Sequence, residues 1–147
     1  MINPDELAQI GTILQQILAA DNEARKTAEQ QLNDAKRAEA DKYAAYMITV
    51  IHPNSTQFPA EVKSLAAVIL RRNVSTSAVD TSDVKDAANN ANLWKRLSDE
   101  ARVYFKTQVL ESLQATSPLG KNLTHKICSL AVEMQGAMFE HENDTIW

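Results

Sequence analysis

Apolar residues recur three or four positions apart along most of the chain, the spacing of one helix face. Leu7, Ile10, Leu14, Ile17 and Leu18 form the first such stripe. Its start is well marked: Asn3 suits an N-cap, Pro4 the first helical position, and Asp5 and Glu6 the positive end of the dipole. The pattern predicts a helix from Pro4 to about Ala20. Asp21 or Asn22 caps a second helix over about 22–37. Its stripe is Ala24, Ala28, Leu32 and Ala35, small residues that let a partner helix come close. A third helix is predicted over 40–51, with Tyr43, Tyr46, Met47, Val50 and Ile51 on its apolar side. His52 to Ser55 breaks it, because the residue before a proline disfavours helix. Pro59 opens a fourth helix that runs to about Val74. It is apolar nearly all round from Leu65 to Leu70 and is expected to be the most buried.

The pattern then changes. Serine, threonine, aspartate and asparagine dominate from Ser75 to Asn92, which predicts a surface loop with at most one weak turn near Val84–Ala88. Trp94 and Leu97 restart the apolar positions. Ser98 caps a fifth helix with Ala101, Phe105, Val109 and Leu113 on its stripe, ending near Thr116. Ser117 and Pro118 open a sixth through Leu123, Ile127, Leu130, Ala131 and Met134, and Gly136 is expected to close it before a polar tail, His141–Thr145.

Composition agrees with helices alone. Glycine occurs three times and proline four times in 147 residues, too few for the turns of an all-β fold, while alanine occurs 21 times. The class is all-α. No stretch approaches the ~18 apolar residues of a membrane span, and Met1 to Gln9 lacks the basic-then-apolar order of a secretory signal. One cysteine, Cys128, points to a reducing compartment. A net charge of −4 argues against a nucleic-acid surface but leaves room for a local basic patch.

Six helices with mostly short connections form three antiparallel pairs, about 4–37, 40–74 and 94–138. The second helices start near 22, 59 and 119. The steps are about 37 and, with the loop removed, roughly 40 residues, the period of two-helix solenoid repeats of the HEAT or armadillo type. Periodicity alone leaves a short solenoid and a closed helical bundle equally open. Arg25, Lys63 and Lys126 hold comparable places in the second helices; stacked pairs would align them as a basic ladder, and the alternative is an ordinary solvated face.

Particular residues add a resemblance. Arg25 to Leu32 (R-K-x-A-E-x-x-L) resembles the first repeat of the importin-β (karyopherin-β) family, and Ser64 to Asn73 (S-L-A-A-V-I-L-R-R-N) resembles the inner helix of its second repeat. Trp94–Lys95–Arg96–Leu97 with the helix after it, and His125 to Glu133, are similar to the third. The A-A-V-I-L-R-R run is most like the importin-5 branch. The resemblance implies an α-solenoid of about three HEAT-type pairs, no catalysis and no cofactor. It implies Ran in its GTP state as partner, held mainly by the second, inner helices. Cargo proteins with basic localisation signals would be held by later repeats, and phenylalanine-glycine nucleoporins by outer helices. Location in cytoplasm and nucleus and at the nuclear pore follows. Lys63, Arg72 and Asn73 on the fourth helix and Lys126 on the sixth are the expected Ran contacts, chosen by helix position. The same stripes also suit a scaffold or adaptor solenoid unrelated to nuclear transport. Solenoid pairs bury their faces against neighbours, so 147 residues are expected to be a piece cut near a repeat boundary. Its C-terminal end, at Trp147, is expected to be apolar and prone to self-association.

Enzyme constellations are not found. His52, His125 and His141 lie far apart, and neither His-x₃-His nor Cys-x-x-Cys occurs. Gly120–Lys121 lacks the glycine five residues earlier that a phosphate loop needs; position 115 is alanine. Asp5–Glu6 and Asp99–Glu100 suit helix dipoles. Cys128, on or beside an apolar stripe, is expected to be a buried structural thiol.

Overall fold

The computed structural model describes residues 2–53, 55–74 and 93–114, and 121–140 as backbone with side chains at 125–135. The expected loop at 75–92, the Ser117–Pro118 start, the tail from His141 and Trp147 lie outside the described residues. Those residues form seven helices and no strand: α1 Pro4–Leu18, α2 Asn22–Ala38, α3 Ala40–Ile51, α4 Ala60–Val74, α5 Leu93–Arg96, α6 Asp99–Gln114 and α7 Lys121–Glu140. None is long and apolar enough to cross a membrane.

The caps act as the sequence predicts. Asp5 N–H donates to Asn3 Oδ1 at 2.9 Å, Glu23 N–H to Asp21 Oδ1 at 3.0 Å and Ala101 N–H to Ser98 Oγ at 3.2 Å. Two ends differ. α1 stops at Leu18, where Ala19 N–H turns back to the Gln16 carbonyl at 3.1 Å. α7 runs through Gly136 to Glu140; one glycine costs a helix only about 1 kcal/mol, which neighbouring turns outweigh.

α1 and α2, α3 and α4, and α6 and α7 are consecutive helical pairs. The second and third stack like on like, α3 against α6 and α4 against α7. Three contacts fix α3 beside α6 along its length. Ser98 N–H donates to Asp41 Oδ1 at 2.9 Å, the Thr49 and Tyr104 hydroxyls lie 3.4 Å apart, and His52 Nε2 meets Glu111 Oε2 at 3.1 Å.

The first pair sits differently. α1 lies over both α3 and α4, while α2 packs on α1 and α3 and forms no comparable interface with α4. The apolar stripes explain it. α1 buries Leu7, Ile10, Leu14 and Ile17, whereas α2 buries only Ala28 and Leu32, so α1 has the wider face to cover two helices. Close approach matters here: a Cβ on Gly11 would overlap the ring edge of Phe58.

α3, not α4, is the most enclosed helix. Tyr43, Ala44, Tyr46, Met47, Ile48, Val50 and Ile51 are all buried on it, because helices surround it on several sides. Each large apolar side chain so buried contributes about 1.5–3 kcal/mol. α4 keeps Leu65, Val68 and Ile69 half-exposed. α6 turns Phe105 and Val109 inward and leaves Val103 (62% exposed) and Leu110 (38%) on the surface.

Candidate functional site

The last turn of α4 beside α7 holds the densest group of expected contact residues. Arg71 Nε lies 3.8 Å from Glu133 Oε1 of α7, joining the two helices. Arg72, the next residue, is exposed and has no ion pair among the described residues. Asn73 turns inward: its Nδ2 donates to the Tyr43 hydroxyl at 2.7 Å. Burial pushes that hydroxyl's pKa well above its ordinary value, and the Asn73 bond pulls it partly back. Lys126 stands half-exposed on α7.

Lys63 is not on this surface. It is buried, and its Nζ donates to the His52 carbonyl at 2.7 Å. Burial holds its ammonium below the ordinary lysine pKa. The bond is a second one to a carbonyl at the end of α3, which also accepts from the Ser55 N–H at 2.9 Å; a helix end leaves such groups without intrahelical partners. The signal was present in the spacing: Lys63, Ala66, Ala67 and Leu70 share one buried stripe.

The expected basic ladder does not form. Arg25 Nε donates to the Ile17 carbonyl at 3.2 Å and closes the α1–α2 turn, Lys63 is internal, and α2 does not lie beside α4. The expectation for Cys128 is also corrected: the thiol is free and exposed. Ile127, Leu130 and Met134 take the buried stripe, and His125, Cys128 and Val132 form the exposed row.

One other group of titratable side chains bears on catalysis. Lys42 Nζ lies 3.0 Å from Glu6 Oε1, the Tyr46 hydroxyl donates to Glu6 Oε2, and Asn3 N–H donates to the Tyr46 oxygen at 3.2 Å. These groups border a cavity of about 230 Å³ that Ile10, Ile13 and Ala35 also line. The Tyr46 and Lys42 bonds hold the Glu6 carboxyl below its usual pKa. The Glu6 bond raises Lys42 and Tyr46. All three shifts lead away from neutrality, the opposite of what a general acid or base needs. The cluster instead clasps α1 to α3. Because the Glu6 pKa is lower folded than unfolded, its contribution is present above the unfolded value and lost as pH falls through the folded one. Glu6→Gln is therefore expected to flatten the acid side of the stability curve below about pH 5. Urea unfolding between pH 3 and 7 measures it; an unchanged slope in the variant contradicts the clasp.

Among the described residues, no group of three or more His, Cys, Asp or Glu is placed to hold a metal ion. Stacked helical pairs define the class: an all-α, solenoid-like protein. The importin-beta N-terminal domain family matches residues 28–115, more than half of the chain, and the chain belongs to that family. The match takes in most of α2, all of α3 to α6, and with them Lys63, Arg72 and Asn73; Lys126 lies beyond it. Neither the curated proteins nor the solved structures compared with the chain give a match.

Proposed function

We propose that the chain acts in nuclear transport, in the importin-5 branch of its family, by binding Ran in its GTP state. The match over residues 28–115 carries this reading, and the A-A-V-I-L-R-R run at Ala66–Arg72 supports the branch. In this reading the pairs 4–37, 40–74 and 94–138 act as one HEAT-type segment. The GTPase lies along α4 and α7. Arg72 and Lys126 touch it, while Lys63 and Asn73 support α4 from inside. Cargo proteins with basic localisation signals and phenylalanine-glycine nucleoporins engage other surfaces of the receptor, which moves between cytoplasm and nucleus through the pore.

The chain is expected to bind Ran·GTP at least about tenfold more tightly than Ran·GDP, a difference of roughly 1.4 kcal/mol. Arg72→Glu combined with Lys126→Glu is expected to weaken the GTP complex by about tenfold or more at low salt, since each reversal replaces attraction with like-charge repulsion. Titration calorimetry with both nucleotide forms measures this. Equal affinity for the two forms overturns the proposal and favours a scaffold or adaptor unrelated to transport.

A further inference from the structure

Lys36 and Arg37 occupy the last turn of α2, and Arg96 ends the one-turn helix α5. Arg96 Nη2 donates to the Arg37 carbonyl at 2.8 Å. That bond ties the two segments and gathers three cationic side chains on one edge of the fold. Lys36 and Arg96 are half-buried and Arg37 is exposed. The nearby carboxylates are already engaged: Glu39 with Lys42 at 3.4 Å, Asp41 with the Ser98 N–H at 2.9 Å, Asp99 with Arg102 at 3.4 Å. None of the ion pairs among the described residues includes Lys36, Arg37 or Arg96. The negative end of the α2 dipole offsets part of this charge, but its carbonyl at Arg37 is taken by Arg96. Burial, then the charges of Arg96 and Arg37, lower the Lys36 pKa, so the cations are felt as mutual repulsion.

We propose that Lys36, Arg37 and Arg96 form a docking site for a short acidic segment of a partner protein, two or three carboxylates long. The site is separate from the α4–α7 surface and does not depend on the Ran reading. Its size and rim favour a peptide over a polyphosphate. A membrane-binding patch gathers roughly 4–8 basic residues, and a nucleic acid lays down a line of phosphates. Here Glu39 and Asp41 follow Arg37 within four residues and Asp99 follows Arg96 within three, in a chain of net charge −4. A long polyanion meets those carboxylates; a short one fits between them.

The test uses the 147-residue chain and a dye-labelled, C-terminally amidated triglutamate peptide, followed by fluorescence anisotropy at about 50 mM salt, where screening is weak. Saturable binding is expected. Lys36→Met, which keeps an apolar stem, is expected to weaken it about fivefold. Lys26→Met removes the same charge from an exposed position earlier on α2 and is expected to leave it unchanged. Equal weakening by both variants means diffuse attraction and overturns the proposal. So does tighter, Lys36-dependent binding of a single-stranded oligonucleotide or of phosphatidylserine vesicles, which assigns the site to phosphate ligands. A second readout does not depend on variants. The Lys36 ammonium pKa, followed by NMR of its Cε carbon, is expected to rise when the peptide saturates the chain; no rise overturns the proposal.

Discussion

Replacing Trp94 with alanine is expected to lower the unfolding free energy by about 3–5 kcal/mol and Tm by about 10 °C. Trp94 is fully buried on a helix of only four residues, Leu93–Arg96. That helix cannot hold itself; a turn this short fixes more dihedral angles than its hydrogen bonds offset. The indole anchors it. Its ring meets Phe105 edge-on at 6.3 Å and 78°, while the Arg102 guanidinium lies 5.8 Å and the Lys106 ammonium 5.6 Å from the ring centre. Arg102 also donates to the Trp94 carbonyl at 3.0 Å and the Lys95 carbonyl at 3.3 Å, covering the end of α5. α5 packs on both α4 and α7, so loss of the side chain that anchors it opens a cavity where the second pair joins the third. Native stability is about 5–15 kcal/mol in total, so this one change removes a large share. Trp94→Phe keeps an aromatic ring and is expected to cost about half as much. Urea unfolding monitored by circular dichroism decides it. A loss below about 1 kcal/mol for Trp94→Ala means the indole does not hold the junction.

The helices were legible because each carries its own local signals. Asn3–Pro4, Asp21 and Ser98 are caps, and their hydrogen bonds are local ones within three residues. Stripe arithmetic found the buried faces: Leu7, Ile10, Leu14 and Ile17 on α1, and Ile127, Leu130 and Met134 on α7, are buried as expected. What the stripes do not carry is which face meets which. A row such as Ala28 and Leu32 states that α2 buries something; only the competition with the wider α1 face decides that α1, and not α2, covers α4. The ladder of Arg25, Lys63 and Lys126 rested on equal stacking of all three pairs, and it fails at that step. Contacts across long separations, Arg71 with Glu133 or His52 with Glu111, carry no local signature in a single sequence. The same holds for Arg96, whose reach to the Arg37 carbonyl depends on how α5 folds back against α2. Lys63 is the opposite case. Its place among Ala66, Ala67 and Leu70 marks an inward position, but a lysine by type reads as surface, so spacing and residue type point in opposite directions.

Lys63→Glu is the substitution that separates those two readings, and it is expected to cost about 3–5 kcal/mol. Inside the fold the new carboxylate faces the His52 carbonyl, acceptor against acceptor, and loses the donor that Lys63 Nζ supplies at 2.7 Å. The cost is that of an unpaired buried anion set against the carbonyl, which keeps only the Ser55 N–H at 2.9 Å as donor. The pH dependence has a definite sign. Burial of the new carboxyl raises its folded pKa above the unfolded value of about 4.3. The charge penalty is therefore absent below that value and grows as pH rises through the folded one. The variant is expected to recover part of its lost stability at pH 4 relative to pH 7. The native lysine behaves in the other direction. Burial lowers its folded pKa, so the cost of burying its charge is present at neutral pH and relieved as pH rises through the folded value. Lys63→Met removes both the charge and the donor; the gain and the loss offset, and a net cost of about 1–2 kcal/mol is expected. Were Lys63 a solvated contact residue, both variants would fall within about 0.5 kcal/mol of the parent with no pH-dependent recovery. Loss of Ran binding by Lys63→Glu with stability intact would then return it to the contact surface.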